Sequence, residues 1–398
     1  MAFFALTLVW TFYNAYMPLI LGQHIERTSI IGAIMGLDNL LAVLLIPFIG
    51  AWSDKVRTKY GKRLPFLIVG MPLAALFFIL IPFVQMNLWL LLAIDVVFLL
   101  AMTLYRAPVI SLMPDHTPPE KRSLANGCIN LMGGIGAIIA LFILSRLYVI
   151  EAYYPFLVAS ILLIASFICL FLVVDRNPPY TADTTAEQEE TLASRSLMSG
   201  IKQLFLPANR APLFILSAIF LYFIGYASVE ALFTLYATRT LGFADDSAGM
   251  TLGFFSLSFV LFALPAGWVG QKLGKIPTMF IGLLLLPCVF FIIPFFETVL
   301  LLQILLFIAG VAWALINVQA YPLVADLGGM VQIGLFTGLY YLFSMTANLI
   351  GPALLGGLMD QFGGSALFYT SGLTFILAFL LLQQGKKKAC RSQPVKYG

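Results

Sequence analysis

Long apolar runs, separated by short polar segments, occupy most of the chain. Each run is roughly 20 residues long, the length that an α-helix needs to cross the hydrocarbon core of a bilayer. Glycine, proline and charged residues mark the ends of the runs, as turn signals do. The pattern predicts twelve spanning helices, at residues 3–22, 30–52, 66–84, 88–113, 124–144, 154–174, 213–237, 248–269, 277–295, 299–324, 332–358 and 366–382.

One polar segment is much longer than the others and separates two sets of six runs. We therefore predict an N-terminal six-helix bundle at 1–174, a cytoplasmic central loop at 175–211, a C-terminal bundle at 212–384 and a cytoplasmic tail at 385–398. A similar proline and glycine end the second run (Pro47, Gly50) and the eighth (Pro265, Gly267). Such a repeat is typical of transporters whose site lies between two pseudo-symmetric halves.

The composition favours a membrane protein. The chain is 61% hydrophobic and 10% charged, whereas a soluble domain carries about 25% charged residues. We see no basic stripe for nucleic acid, no cysteine or histidine spacing for a metal, and no nucleotide loop or nucleophile–base set. The sequence thus predicts neither a cofactor nor an enzyme.

The basic residues predict the orientation. Most of the 22 lysines and arginines fall on one side of the predicted spans, which the positive-inside rule makes cytoplasmic. Both termini are then cytoplasmic, in a plasma membrane of bacterial inner-membrane type. No basic residues precede the first run, so we interpret it as a spanning helix rather than a cleaved signal.

A glycine-punctuated basic segment follows the second span and carries one acid among five bases. Its positive charge has a purely topological interpretation, because it holds the loop inside. The alternative is a charge latch that pairs in one conformation and releases in another. The candidate gating residues are Gly50, Asp54, Lys55, Arg57, Gly61, Lys62 and Arg63, with Asp326 near the end of the tenth span.

This segment, which ends in Gly61-Lys62-Arg63-Leu64-Pro65, resembles the motif between the second and third spans of the major facilitator superfamily. Within that superfamily it looks most like the glycoside–pentoside–hexuronide and sucrose–proton symporters. The resemblance implies the major facilitator fold, an all-α membrane protein of twelve transmembrane helices in two six-helix pseudo-symmetric halves.

Two charges lie inside the fourth span. Asp95 and Arg106 are three helical turns apart, or roughly 16 Å along the axis, so they face the same side without touching. A charge in hydrocarbon is costly and must face a partner or a cavity. Structural pairing is one interpretation, and a protonatable acid with a substrate or gating base is the other. Sucrose symporters carry an aspartate and an arginine at this spacing, and the resemblance implies the same roles here.

Further acids lie in other spans. Asp38 and Asn39 in the second span either bond a neighbouring helix or contact substrate or cation. Glu230 in the seventh span is a second coupling group or a hydrogen-bond partner of an opposing helix. The candidates for proton coupling are therefore Asp95, Glu230 and Asp38.

Amides and aromatic rings within spans are candidate sugar contacts, because sugars use hydrogen bonds and stacking on ring faces. The alternative for each is helix packing or an interfacial position. Besides Arg106 and Asn39, the candidates are Trp10, Tyr13, Asn14, Tyr105, Asn126, Asn130, Tyr226, Asn317, Gln319, Tyr340 and Asn348.

These features together favour a secondary active transporter. We expect proton-coupled symport of a sucrose- or maltose-like glycoside by alternating access, with protons and membrane lipids as further partners and the single chain as the working unit. An uncoupled facilitator, an exporter of another solute or lipid, and a sugar sensor are the alternatives. The short tail at 385–398 disfavours the sensor.

Overall fold

The computed structural model describes residues 1–118, 121–176, 178, 210–328 and 333–392. Within these ranges the regular structure is helical, apart from one isolated bridge between Thr58 and Gly61. The helices are α1 (Ala2–Gly22), α2 (Thr28–Met35), α3 (Leu37–Lys55), α4 (Leu64–Val84), α5 (Leu88–His116), α6 (Arg122–Ile138), α7 (Ser145–Ile150), α8 (Tyr154–Val173), α9 (Arg210–Arg239), α10 (Asp245–Leu273), α11 (Lys275–Ile292), α12 (Val299–Gly328), α13 (Ile333–Phe362) and α14 (Ala366–Ser392).

The predicted twelve spans and the all-α class are confirmed. Twelve segments of the described chain are helical, long enough and apolar enough to cross a bilayer. Two of them are not uniform helices. The second span breaks at Gly36 into α2 and α3, and the fifth contains a π-helical segment, Ile139–Leu144, between α6 and α7.

The predicted central loop, 175–211, lies largely outside the described residues, as do the last residues of the predicted tail. The first part of that tail is helical, because α14 continues to Ser392.

Contacts group the chain into two compact units. Unit 1 comprises Met1–Glu26, Leu37–Thr185 and Phe243–Gly253, and unit 2 comprises Arg27–Gly36, Ala186–Gly242 and Phe254–Gly398. In unit 1, α4 packs on α5 and α8, and α1 packs on α6 and α8. In unit 2, α9 packs on α13 and α14, and α11 packs on α12 and α14. Each unit follows one half of the sequence but also contains a short segment of the other half.

Helix α1 is the most enclosed span of unit 1. Phe12 on α1 is fully buried, stacks on Tyr16 at 4.3 Å and meets Phe156 of α8 edge-on at 5.2 Å between ring centroids. Phe78 of α4 joins the same aromatic group, 4.9 Å from Phe156. This core fixes the rotation of α1 and thereby the side on which Trp10 and Tyr13 lie.

In unit 2, helix α2 lies directly against α13. At Gly32 a Cβ would overlap the backbone of Pro352, so only glycine permits this approach. The carboxylate of Asp360 caps α2, accepting from the backbone N–H of Thr28 at 2.6 Å and of Ser29 at 2.9 Å. These N–H groups have no partner within the helix, so the carboxylate stabilises them.

We predict that Gly310→Ala destabilises unit 2. A Cβ at residue 310 would overlap the Phe255 carbonyl oxygen and the Ser258 hydroxyl, so helices α10 and α12 must separate. The expected loss is about 1–3 kcal/mol, measured as a lower melting temperature in detergent. Gly267→Ala is the matched control, because its Cβ meets only Val318 at 3.8 Å. Equal melting temperatures for the two variants would contradict this packing.

Candidate functional site: a buried acid–arginine cluster

Three helices of unit 1 bring together three of the four charged residues that were predicted deep inside the spans. Asp95 and Arg106 lie on α5, Asp38 lies in the first turn of α3, and Trp10 and Tyr13 lie on α1. Both α1 and α3 pack against α5. We refer to these five residues as the acid–arginine cluster.

The two carboxylates of the cluster are removed from solvent. Asp95 has 0% of its surface exposed, and Asp38 is also buried. Asp38 accepts a hydrogen bond of 2.6 Å from the side-chain amide of Asn39. Tyr13 is near enough to Asp95 to interact with it, yet neither the Tyr13 hydroxyl nor the Asp95 carboxylate makes a well-formed hydrogen bond to a described residue.

Asp38 lies within electrostatic range of both charges on α5. It interacts electrostatically with Arg106 and with Asp95. The sequence separates Asp95 from Arg106 by three turns, and the structure adds a second acid that communicates with both. The sequence names Asp38 as a candidate but does not predict its proximity to these two residues, because that depends on how α3 packs against α5.

Arg106 lies over the face of Trp10, with its guanidinium carbon 5.4 Å from the ring centroid. This cation–π contact orients the guanidinium while its N–H donors remain available for other acceptors. The neighbouring Tyr105 has a different environment: it is fully buried, and its hydroxyl contacts the Met102 sulfur at 2.9 Å. That environment favours packing for Tyr105 over a substrate contact.

The other predicted contacts of unit 1 are more exposed than the cluster. Asn14 on α1 is partly exposed, and Asn130 on α6 is exposed. The side chain of Asn126 lies outside the described residues.

Unit 2 contains an aromatic platform, formed by Tyr226 and Trp313. Their rings are parallel within 3° with centroids 3.9 Å apart. Trp313 is buried, Tyr226 is partly exposed, and Glu230 lies within hydrogen-bonding range of the Tyr226 hydroxyl. Trp313 was not among the residues predicted from the sequence, although it precedes the candidate Asn317 by four residues and so shares its helix face.

The remaining unit 2 candidates divide by environment. Asn317 is partly exposed, whereas Gln319 is buried and donates to the Ala266 carbonyl oxygen at 2.8 Å. This bond joins α12 to α10 and favours helix packing for Gln319. Tyr340 packs against Tyr321 at 5.7 Å and lies within 6.3 Å of Phe223. The Oδ1 atom of Asn348 is buried without a partner among the described residues.

The basic segment between α3 and α4 carries a buried ion pair. Arg63 donates from Nε to Asp115 at the end of α5, at 2.9 Å, and from a terminal nitrogen to the Ser53 hydroxyl. Gly61 makes the preceding turn with φ of 85°, where its backbone also meets Arg176. A side chain is strained at that φ, so glycine is required.

The structure describes the surroundings of some of the other predicted gating residues of this segment but not of all. Gly50 accepts from the Ser53 hydroxyl at 2.8 Å, Arg57 is exposed, and Lys62 is partly exposed. The side chains of Asp54 and Lys55 lie outside the described residues, so the latch expected at Asp54 remains a prediction.

The second half repeats the ion pair in the equivalent place. Lys275, at the start of α11, donates to Asp326 near the end of α12 and to the Pro322 carbonyl oxygen at 3.2 Å. Arg63 and Asp115 join the third span to the fourth, and Lys275 and Asp326 join the ninth to the tenth. The two pairs differ in burial, with side-chain exposures of 10% and 8% in the first and 33% and 52% in the second.

Twelve apolar spans with charges enclosed inside one unit define a multi-pass membrane protein. The chain belongs to the Major Facilitator Superfamily, whose family profile matches residues 1–244 and 215–389.

Curated relatives match part of the chain. The quinolone resistance protein NorA of Staphylococcus aureus is 26% identical over 163 residues, which cover 41% of this chain and 42% of NorA. The uncharacterized MFS-type transporter YfkF of Bacillus subtilis (strain 168) is 29% identical over 172 residues, 42% of this chain and 43% of YfkF. The chain thus spans less than half the length of these relatives.

Solved structures match the whole fold. The nucleoside transporter NupG superposes with a TM-score of 0.73 at 14% identity, covering 96% of both chains. The peptide transporter POT in complex with sulfate has a TM-score of 0.70 at 17% identity, covering 100% of this chain and 94% of POT. A bacterial homologue of the iron transporter ferroportin gives 0.70 at 16% identity, with 96% of both chains covered. At these identities the likeness shows the fold alone.

We predict that the two ion pairs differ in energetic coupling. In a double-mutant cycle of Arg63→Gln and Asp115→Asn, the buried pair gives a coupling of about 1–3 kcal/mol. The same cycle on Lys275→Gln and Asp326→Asn gives about 0.2–1 kcal/mol, because exposed charges are screened by water. Thermal unfolding in detergent measures both cycles. A larger coupling for the exposed pair would contradict the structure.

Proposed function

We propose that this transporter performs proton-coupled symport of a neutral glycoside, such as sucrose or maltose. One observation carries the proposal, namely the acid–arginine cluster, in which two carboxylates are buried and one of them, Asp38, interacts with the single arginine. The proposal places the protein in a plasma membrane with both termini in the cytoplasm.

Charge balance within the cluster supports proton coupling. Arg106 can neutralise one carboxylate, and Asp38 is the acid that interacts with it. Asp95 is then a second buried acid whose oxygens lack a hydrogen-bond partner among the described residues. An ionised carboxylate left in this state costs several kcal/mol, so the enclosed cluster is stable with a proton on Asp95. Release of that proton requires a conformation in which water reaches the carboxylate.

The residues beside the two carboxylates can also bind a sugar. The guanidinium of Arg106 offers donors for hydroxyl oxygens, and the amide of Asn39 lies beside Asp38. Trp10 supplies an aromatic face for the C–H surface of a sugar ring. A substrate that carries no net charge leaves the balance between Arg106 and Asp38 intact.

The flux experiment uses the purified protein in liposomes with labelled sucrose or maltose. We predict accumulation driven by an inward proton gradient in the wild type. Asp95→Asn is expected to abolish accumulation and leave equilibration, because an amide cannot release a proton. Asp246→Asn, the same chemical change in the first turn of α10, is the control and should accumulate normally.

Three outcomes contradict parts of this proposal. Accumulation that survives in Asp95→Asn moves the coupling to Asp38 or Glu230. Equilibration without accumulation in the wild type means a facilitator. The absence of flux with either sugar excludes the substrate class, provided that the protein is folded and shows a cooperative thermal unfolding transition.

Export of an amphiphilic compound is the second candidate, favoured by the similarity to the quinolone resistance protein NorA over 163 residues. The Tyr226–Trp313 platform also offers a flat surface to a planar aromatic compound. The same liposomes distinguish the two functions. An exporter transports a fluorescent quinolone in exchange for protons and does not transport sucrose or maltose.

A further inference from the structure

Three consecutive lysines, Lys386, Lys387 and Lys388, lie in the last turns of α14, where α9 and α11 begin. We call them the lysine cluster. The twelfth span itself ends at Lys388, so the cluster lies at the boundary between the apolar span and its polar end. Lys386 and Lys387 are exposed and Lys388 is partly exposed.

The first and third lysines of the cluster make cation–π contacts with aromatic rings of two neighbouring helices. The Lys388 ammonium lies 4.3 Å from the ring centroid of Phe214 on α9, and that of Lys386 lies 5.8 Å from Phe280 on α11. These contacts keep the aliphatic stems against apolar surface and the charged ends at the level of the helix termini. Lysine and aromatic pairs at this depth are typical of the headgroup region of a bilayer.

An apolar stripe on α14 leads to the middle lysine. Leu373, Leu377 and Leu380 are exposed large side chains that recur at intervals of four and three residues, so they share one helix face. Continuing the same interval through Gln384 reaches Lys387, which is also exposed. One face of α14 therefore offers apolar contact along the span and a positive charge at its end.

The described helix termini beside the cluster add little negative charge. The first turns of α9 and α11 contain no acidic residue. The acid described nearby at the end of α12, Asp326, is paired with Lys275.

From this arrangement we propose that the lysine cluster binds the phosphate headgroup of an anionic phospholipid, with an acyl chain along the stripe of Leu373, Leu377 and Leu380. The stripe favours a lipid over a soluble anion, because free phosphate has no apolar part to cover it. The proposal is independent of the transported substrate. Positive charge that acts only in membrane insertion is the competing explanation.

The test compares phosphatidylglycerol with phosphatidylcholine, added to the purified full chain in detergent. Native mass spectrometry counts the bound lipids, and thermal unfolding measures stabilisation. The wild type is expected to bind phosphatidylglycerol selectively and to melt at a higher temperature with it. The variant Lys386→Gln/Lys387→Gln/Lys388→Gln should lose about tenfold or more in affinity, because each basic residue at the surface attracts anionic lipid.

A charge-matched control separates a site from general attraction. Lys59→Gln/Lys121→Gln/Arg146→Gln removes three exposed charges of unit 1 and should retain phosphatidylglycerol selectivity. Equal losses in both triple variants, or none in the lysine cluster variant, would overturn the proposal. So would displacement of the lipid by millimolar inorganic phosphate. If the triple variant does not fold, Lys387→Gln against Lys387→Arg gives the same comparison, with binding lost only in the glutamine variant.

Discussion

Two carboxylates and one guanidinium share the interior of unit 1, and the need to balance their charge constrains everything around them. Asp95 is fully enclosed, and Asp38 interacts with both it and Arg106. A charged side chain near the centre of a bilayer costs about 3 kcal/mol or more, so helices α1, α3 and α5 must either stay packed with a balanced set of charges or open to water. In the proposed mechanism, this requirement links a proton on Asp95 to the conformation of the helices.

Neighbouring spans are joined by close backbone packing within the bilayer and by ion pairs at the helix ends. Inside the bilayer, glycines such as Gly32 and Gly310 allow backbones to touch, because apolar side chains gain little from each other when lipid is equally apolar. At the helix ends, the Arg63–Asp115 and Lys275–Asp326 pairs repeat the same connection in both halves of the sequence. The exposed Lys275–Asp326 pair can form and separate at low cost, whereas the buried Arg63–Asp115 pair is harder to break.

The fold follows closely from the sequence, because bilayer thickness fixes span length and no soluble alternative absorbs so much apolar surface. The cost of a charge in hydrocarbon also singles out Asp95 and Arg106 within one apolar run. The proximity of Asp38 to both could not be predicted, since it depends on the packing of α3 on α5. Trp313 could not be predicted as a site residue, because the sequence around a tryptophan in an apolar run is the same whether its ring faces lipid or a site. The partner of Arg63 was equally hidden, since Asp115 is distant in sequence.

Proton uptake on sugar binding is the measurement that isolates the role of Asp95. Purified protein in weakly buffered detergent solution, with a pH-indicator dye, receives saturating sucrose or maltose, and calorimetry verifies that the sugar binds. We expect the wild type to take up protons from solution and Asp95→Asn to bind the sugar without doing so. Sugar binding with no proton uptake by the wild type, or with equal uptake by Asp95→Asn, would contradict the role assigned to this carboxylate.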